Sequence, residues 1–339
     1  MVEQGPLRDA RGRGGRPVTR VAAVDCGTNS IRLLVADADP ATGELTDLDR
    51  RMTIVRLGQG VDRTGRLAPE ALERTFSACR EYAQIVEKHG ASEHLRFVAT
   101  SASRDAENRN DFVRGVVDIL GVEPEVITGD QEAEFSFTGA TKELTGRADL
   151  HRPFLVVDIG GGSTEFVVGD DHVRAARSVD VGCVRMTERH LVRGGAVTDP
   201  PTEEQIAAMR ADIEAALDRA EETVPLREAR TLVGLAGSVT TVSAIAQDLP
   251  EYDSAAIHHS RVSRERVREI TEWLLRSTHA ERAAVRSMHP GRVDVIGAGA
   301  LVLLAIMERT GAEEVVVSEH DILDGIAWSV AQDSSAAGR

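Results

Sequence analysis

The sequence predicts an α/β protein of two lobes, each a mixed β-sheet covered by helices, with a cleft between them. Two observations carry that expectation. First, a strand–loop–strand segment occurs twice, as VAAVDCGTNSIRLLVAD at 21–37 and as LVVDIGGGSTEFVVGD at 155–170. Aligning Asp25 with Asp158 also matches Val24 with Val157, Gly27 with Gly160, Ser30 with Ser163, Val35 with Val168 and Asp37 with Asp170. Each copy reads as a buried apolar strand, an Asp, a short Gly/Ser/Thr turn and a second apolar strand. Second, each half opens on this β-hairpin and continues in alternating strands and helices. At 339 residues, 42% of them hydrophobic, the chain has material for two domains, with cores of Val, Leu, Ile and Ala because aromatics are only 3%.

In the first half, strands are expected near 21–26, 31–37 and 44–57. A helix follows over 69–89 with Pro69 in its first turn, where a missing N–H is tolerated. Then come strand LRFVAT, a helix over 105–120, strand PEVIT and a helix from about 130. The second half restarts with FLVVDIGGG and FVVG, and a third strand is expected through ARSVDVGCVRM. Thr202 and Gln205 have capping-box spacing ahead of a helix over 203–222. Strand TLVGLA, a helix from Ser238, helices over 264–277 and 292–310, strand EEVVVS and a last helix near 322–332 complete the pattern. The lobes are expected at 18–136 and 137–319, with the helix of about 320–333 packing back on the first. Residues 1–17, Gly-rich and carrying Arg8, Arg11, Arg13 and Arg16, read as a disordered basic leader without the apolar stretch of a signal peptide.

A formal charge of −15 argues against general nucleic-acid binding, which needs a basic surface. No apolar run approaches a membrane span. Cys26, Cys79 and Cys183 show no paired or metal-type spacing, which fits a reducing cytoplasm. A polyanionic ligand must therefore be held locally, by backbone amides, a metal and a few arginines. Glycines let the repeated turns bend sharply and present N–H groups to an anion, and the Asp at each strand end can hold a cation or a water. Two such loops facing each other would grip a phosphate ester; the plainer reading is a pair of ordinary hairpins, the poorer fit to an Asp in the same place twice. Gly237 and Ser238 open a third Gly-rich turn ahead of a helix, a ready anion site. Cys26-x5-Arg32 has the spacing of cysteine-dependent phosphatases. Against that, Asp25 disfavours a thiolate, a strand follows, and Ile159 in the second copy marks an apolar packing position. His258, His259 and His320 do not stand at metal-ligand spacing in the sequence, Gly297, Gly299 and Ala300 read as close helix packing, and Asp294 is ambiguous.

Six motifs together resemble the exopolyphosphatase / guanosine pentaphosphate phosphatase (Ppx/GppA) family, within the actin-like, sugar kinase and Hsp70 superfamily. They are D-x-G-[ST]-N-S at 25–30, T-x-[AS]-x-R-x-A-x-N at 100–108, [ST]-G-x-x-E-A at 128–133, D-I-G-G-G-S-T-E at 158–165, G-x-x-R-[ML]-T-E at 182–188 and G-L-A-G-[ST]-x-T-T at 234–241. The match covers most of 20–330 and resembles the short, two-domain form. It implies two actin-like (ribonuclease H-like) lobes and metal-dependent hydrolysis of the terminal phosphoanhydride bonds of inorganic polyphosphate, with guanosine pentaphosphate as the alternative substrate. It further implies Mg²⁺ or Mn²⁺ as cofactor, a cytoplasmic location and a homodimer.

By the same resemblance Glu132 is the general base, Asp158 the metal-linked Asp with Asp25 its symmetric counterpart, and Arg104 a phosphate clamp. Gly27, Thr28, Asn29 and Ser30, with Gly160, Gly161, Gly162 and Ser163 and with Gly237 and Ser238, would supply amides and hydroxyls to phosphate oxygens. Each has a plainer reading: Glu132 complementing a helix dipole, the aspartates capping their turns, Arg104 in a surface ion pair. Asp130 and Glu134 compete with Glu132, and Glu134 stands where relatives often have Arg. The G-L-R-E-G stretch of many relatives here falls in His320–Gly325 and lacks that arginine. With so few cations placed, short polyphosphates are expected to be preferred. An ATP-dependent kinase of the superfamily and a non-catalytic phosphate-ligand sensor are the readings of a different class.

Overall fold

The computed structural model describes residues 18–337 except 40–43, 143, 145, 146, 194 and 195; the predicted leader lies outside the described residues. In the first lobe β1 (Thr19–Cys26), β2 (Ser30–Asp39) and β3 (Glu44–Ile54) make an antiparallel meander, and β4 (Leu95–Ala99) and β5 (Glu125–Val126) extend it in parallel. The sheet order is β3-β2-β1-β4-β5. Helices α1 (Val61–Thr64), α2 (Pro69–His89), α3 (Ser101–Asp105), α4 (Arg109–Leu120) and α5 (Gly129–Thr141) are interleaved. Side chains alternate across a strand, so β1 and β2 feed two cores. Val24, Cys26, Ile31 and Leu33 pack under α2 and α4 with Tyr82 and Phe112, whereas Val21, Ala23, Leu34 and Ala36 face the other way.

The second lobe repeats the meander with β6 (Phe154–Ile159), β7 (Thr164–Gly169) and β8 (Val173–Val179). After α6 (Cys183–Leu191), the short hairpin β9 (Val192–Arg193) and β10 (Ala196–Val197), and α7 (Glu203–Glu221) comes β11 (Thr231–Leu235), parallel to β6. Then follow α8 (Ala236–Ala246), α9 (Ser254–Ile257), β12 (Arg261–Ser263), α10 (Arg264–Arg276), α11 (His279–Ala283), α12 (Ile296–Thr310), β13 (Glu314–Val317) and α13 (Ile322–Ala337). The sheet runs β12-β13-β11-β6-β7-β8. Every residue of β6 and β7 is buried, because both faces are covered. Leu155, Val157 and Ile159 meet α7, α8, α10 and α12, while Val156, Val167 and Val233 meet Ala133, Phe137 and Ala140 of α5.

The chain passes between the lobes twice. Helix α5 leaves β5 and packs on the second sheet. Helix α13 leaves β13 and packs Ile322, Ile326 and Ala327 on Val21, Ala23 and Leu34 of the first. The two helices cross at Gly139 and Gly325, where a Cβ would overlap the carbonyl of Asp321 or Phe135.

Several boundaries differ from the sequence reading. Strand β3 stops at Ile54 rather than 57, the helix expected over 105–120 starts at Arg109 as α4, and the short helix α3 ahead of it was not expected. The third strand of the second lobe ends at Val179, and the CVRM residues begin helix α6, because its first N–H groups are taken by the neighbouring glycine loop. The helix expected from 292 starts at Ile296 after a 3-10 turn over Pro290–Arg292. The capping box at Thr202–Gln205 is present, and a second lies at Thr128–Gln131. Among the described residues no helix is long and apolar enough to cross a membrane.

Candidate active site

The two repeated turns have the same backbone. The Gly27 N–H donates to the Ser30 carbonyl at 2.9 Å, and the Gly160 N–H donates to the Ser163 carbonyl at 3.0 Å. The loops meet across the cleft. A Cβ on Gly162 would lie 2.7 Å from Ser101 Oγ and 2.8 Å from Thr28 Oγ1, so only a glycine allows this approach. Thr28 Oγ1 and Ser101 Oγ are themselves hydrogen-bonded at 2.8 Å. Asn29 is buried, and its amide group has no partner among the described residues. Gly237 and Ser238, expected in a turn ahead of a helix, lie instead in the first turn of α8, which follows β11 next to β6 and so flanks the second loop.

Identical backbones carry opposite charges. Register places Asp25 opposite Arg32 in the first hairpin and Asp158 opposite Glu165 in the second. Arg32 donates Nη2 to Asp25 Oδ2 at 2.6 Å and also pairs with Asp321, so Asp25 is compensated through that oxygen. Its Oδ1 is buried without a hydrogen bond among the described residues. Asp158 accepts the Ser136 hydroxyl at 2.9 Å. Burial and the nearby Asp321 push its carboxyl up to about 7, against the pull of Arg32 and Ser136. Glu165 accepts the Ser178 hydroxyl at 2.8 Å and is pushed to about 8 by burial and by Asp158.

Glu132 stands in the first turn of α5, buried, with its carboxylate 3.4 Å from Arg104 Nη1. Burial and then Glu165 raise it well above the usual carboxylate range, Arg104 opposing. Asp130 and Glu134, by contrast, are both exposed. Arg104 sits beside the base, its guanidinium also donating to the Ile127 carbonyl at 2.9 Å.

Asp25, Glu132, Asp158, Glu165 and Asp321 thus crowd around two guanidiniums. Burial and neighbouring carboxylates disfavour the ionised forms of Asp25, Glu132, Asp158 and Glu165, and such a group is a natural seat for a cation. Mg²⁺ takes one or two carboxylates plus water and substrate oxygens rather than an all-protein cage. Among the described residues no group of three or more His, Cys, Asp or Glu could hold a metal ion, so a cation here would take one or two of these carboxylates and complete its shell with water and substrate oxygens.

Beyond the carboxylates lies a cleft of about 510 Å³ lined by Arg32, Arg50, Arg51, Arg286 and Arg292. The Arg292 guanidinium lies over Gly237, at the start of α8. Arg261, Arg264 and Arg266 pair with the surface acids Glu314, Glu313 and Glu269. In the altered G-L-R-E-G stretch, Asp321 holds Arg32 and Asp324 holds Arg50 at 2.5 Å. Cys26 is buried against the core, and burial raises its thiol well above the ordinary value, which disposes of a cysteine nucleophile. Arg32, Ser136, Glu165, Asp321 and Arg292 were not anticipated. For Arg32 and Glu165 the signal was available as the cross-strand partners of the two aspartates.

The Ppx/GppA phosphatase family model matches residues 34–333. The chain belongs to the Ppx/GppA phosphatase family. It is 53% identical to exopolyphosphatase 2 of Mycobacterium tuberculosis over 93% of this chain and 99% of that protein. It is 27% identical to the guanosine-5'-triphosphate,3'-diphosphate pyrophosphatase of Aeromonas hydrophila over 91% of this chain and 59% of that protein. The crystal structure of an exopolyphosphatase-like protein superposes with a TM-score of 0.88, at 44% identity, over 93% of this chain and all of that one. The family's G-x-x-R-[ML]-T-E motif, at 182–188, opens α6 beside the second glycine loop.

Proposed function

We propose that this Ppx/GppA member is an exopolyphosphatase that hydrolyses the terminal phosphoanhydride bond of inorganic polyphosphate in a metal-dependent way. The observation that carries the reading is the buried Glu132 beside Arg104, within the electrostatic reach of Asp158 and Glu165. Likeness to the mycobacterial exopolyphosphatase supports the substrate class. Asp158, with Asp25 as second candidate, would hold Mg²⁺ or Mn²⁺, which when bound supplies charge neutralisation at the attacked phosphoryl group. Glu132 accepts a proton from the attacking water, and Arg104 fixes the orientation of that carboxylate. Amides of Gly27–Ser30 and Gly160–Ser163 hold phosphoryl oxygens, and the Arg292 guanidinium over Gly237 receives the next phosphates of the chain.

Guanosine pentaphosphate is the second reading, favoured by the size of the arginine-lined cleft and by likeness to the Aeromonas pyrophosphatase. Phosphate release from polyphosphate, guanosine pentaphosphate and ATP, each with Mg²⁺ and with EDTA, tests both. Polyphosphate should be hydrolysed fastest, only with metal. Turnover of guanosine pentaphosphate alone would exchange the two readings, and transfer from ATP to an acceptor would overturn both.

A further inference from the structure

The motif at 182–188 has no part in the chemistry above, yet its arginine touches both lobes. Helix α6 starts against the second glycine loop. The carbonyl of Gly160 accepts the Cys183 N–H at 3.0 Å, and that of Gly161 accepts the N–H groups of Val184 and Arg185 at 2.9 and 3.0 Å. Gly162 is the exception, because its carbonyl accepts a side chain, Arg185 Nε, at 2.7 Å. The other two nitrogens of that guanidinium reach out of the lobe, although Nη2 also lies 3.9 Å from Asp180 of its own lobe. Nη1 meets Asp62 at 2.5 Å on α1, and Nη2 meets Asp105 at 2.8 Å at the end of α3. Asp105 directly follows Arg104, the partner of Glu132. One turn further along α6, Glu188 accepts the Gly60 N–H at 3.0 Å and Arg189 reaches Asp62 at 3.3 Å. Only 13% of the Arg185 side chain is exposed.

A planar guanidinium with its forks committed to two carboxylates cannot rotate, so the direction of Nε is fixed by the opposite lobe. Once the lobes part, Asp62 and Asp105 withdraw and Nε is free to turn away from Gly162. The Gly162 carbonyl then loses its donor at the point where that loop touches Thr28 and Ser101. We propose that Arg185 is a positioning residue that makes the geometry of the second phosphate loop conditional on closure of the cleft, through Asp62 and Asp105. The inference rests on the phosphohydrolase reading for its kinetic consequences, but not for the clasp itself. It assigns α6 as the element that lets substrate enter an open cleft and assembles the loop only when the lobes are together.

Three variants separate the two arms of the clasp. D62N/D105N keeps the Arg185 guanidinium and removes the pull from the other lobe that aims its Nε at Gly162. R185A removes both arms, and R185K keeps a charge without the fork. With tripolyphosphate and Mg²⁺, R185A should lose roughly a hundredfold in kcat/KM, the scale of a misplaced reacting group. D62N/D105N should raise KM several-fold with a smaller change in kcat, and R185K should recover only a small part of the R185A loss. Small-angle scattering of D62N/D105N should show a larger radius of gyration than wild type, with the melting temperature nearly unchanged. An unchanged KM and radius of gyration in D62N/D105N, or wild-type kcat/KM in R185K, would overturn the proposal. A wild-type protein that releases no phosphate defeats the proposed function instead, and the scattering comparison still decides the clasp.

Discussion

Asp25 and Asp158 hold the same place in two copies of one hairpin, and their cross-strand neighbours differ in charge. Asp25 faces Arg32, which offsets part of the rise that burial gives its carboxyl, whereas Asp158 faces Glu165 and is pushed up to about 7 by burial and Asp321. A cation gains most where negative charge is least balanced, so Asp158 is the stronger ligand. Asp158→Asn should abolish the rise in melting temperature caused by Mg²⁺, while Asp25→Asn should only reduce it; equal losses in a thermal-shift titration would count against this asymmetry. Cys26→Ser should remain active, because the thiol is buried in the core under α2 and α4. Both aspartates, Glu132 and Arg104 were legible in the sequence, since each lies in a short motif. Asp321 was not, because it reaches Arg32 from 289 positions away and only the path of α13 brings it there.

Elements were legible where their cause is local. Pro69 starts α2, and the Thr202–Gln205 box starts α7. Helix α6 was misread as strand because its start is decided by the loop it packs against, through N–H groups bonded to Gly160 and Gly161. The meeting of the two glycine turns makes its own prediction. Gly162→Ala would press a methyl against Ser101 and Thr28. It should raise KM at least several-fold and leave the melting temperature within a few degrees, since the lobes keep their separate cores. Steady-state kinetics beside thermal unfolding checks it, and a wild-type KM would mean that the loops do not come together during turnover.

For the whole molecule, the carboxylate cluster dictates how stability depends on pH. Glu132, Asp158 and Glu165 are raised in the folded state, to about 7 for Asp158 and about 8 for Glu165. Folding therefore favours their protonated forms, and their contribution to stability is lost as pH rises from about 4, the unfolded carboxyl range, to about 8. A bound divalent cation reverses that loss. The Mg²⁺-induced rise in melting temperature should accordingly be larger at pH 8 than at pH 5, and a rise independent of pH would place the metal elsewhere. The net charge of −15 bears on substrate length. Five arginines line one cleft, but Arg32, Arg50 and Arg51 are already paired with Asp321, Asp324 and Asp49. That is enough for a few phosphates and too little for a long track, so kcat/KM should be higher for chains of a few phosphates than for chains of hundreds. Two lobes and a cleft were readable from the repeat. The convergence of arginines from β2, β3 and the turn before α12 was not, because it exists only once the lobes face each other.

The central claim is that the buried carboxylate of Glu132 takes the proton of the attacking water. Its most direct test is phosphate release from tripolyphosphate in Mg²⁺ by Glu132→Gln, with substrate affinity measured in parallel. Loss of a general base costs ~10²–10⁴-fold, so turnover should fall by that order while the dissociation constant stays within a few-fold of wild type. Wild-type turnover in Glu132→Gln, with affinity intact, would contradict the account.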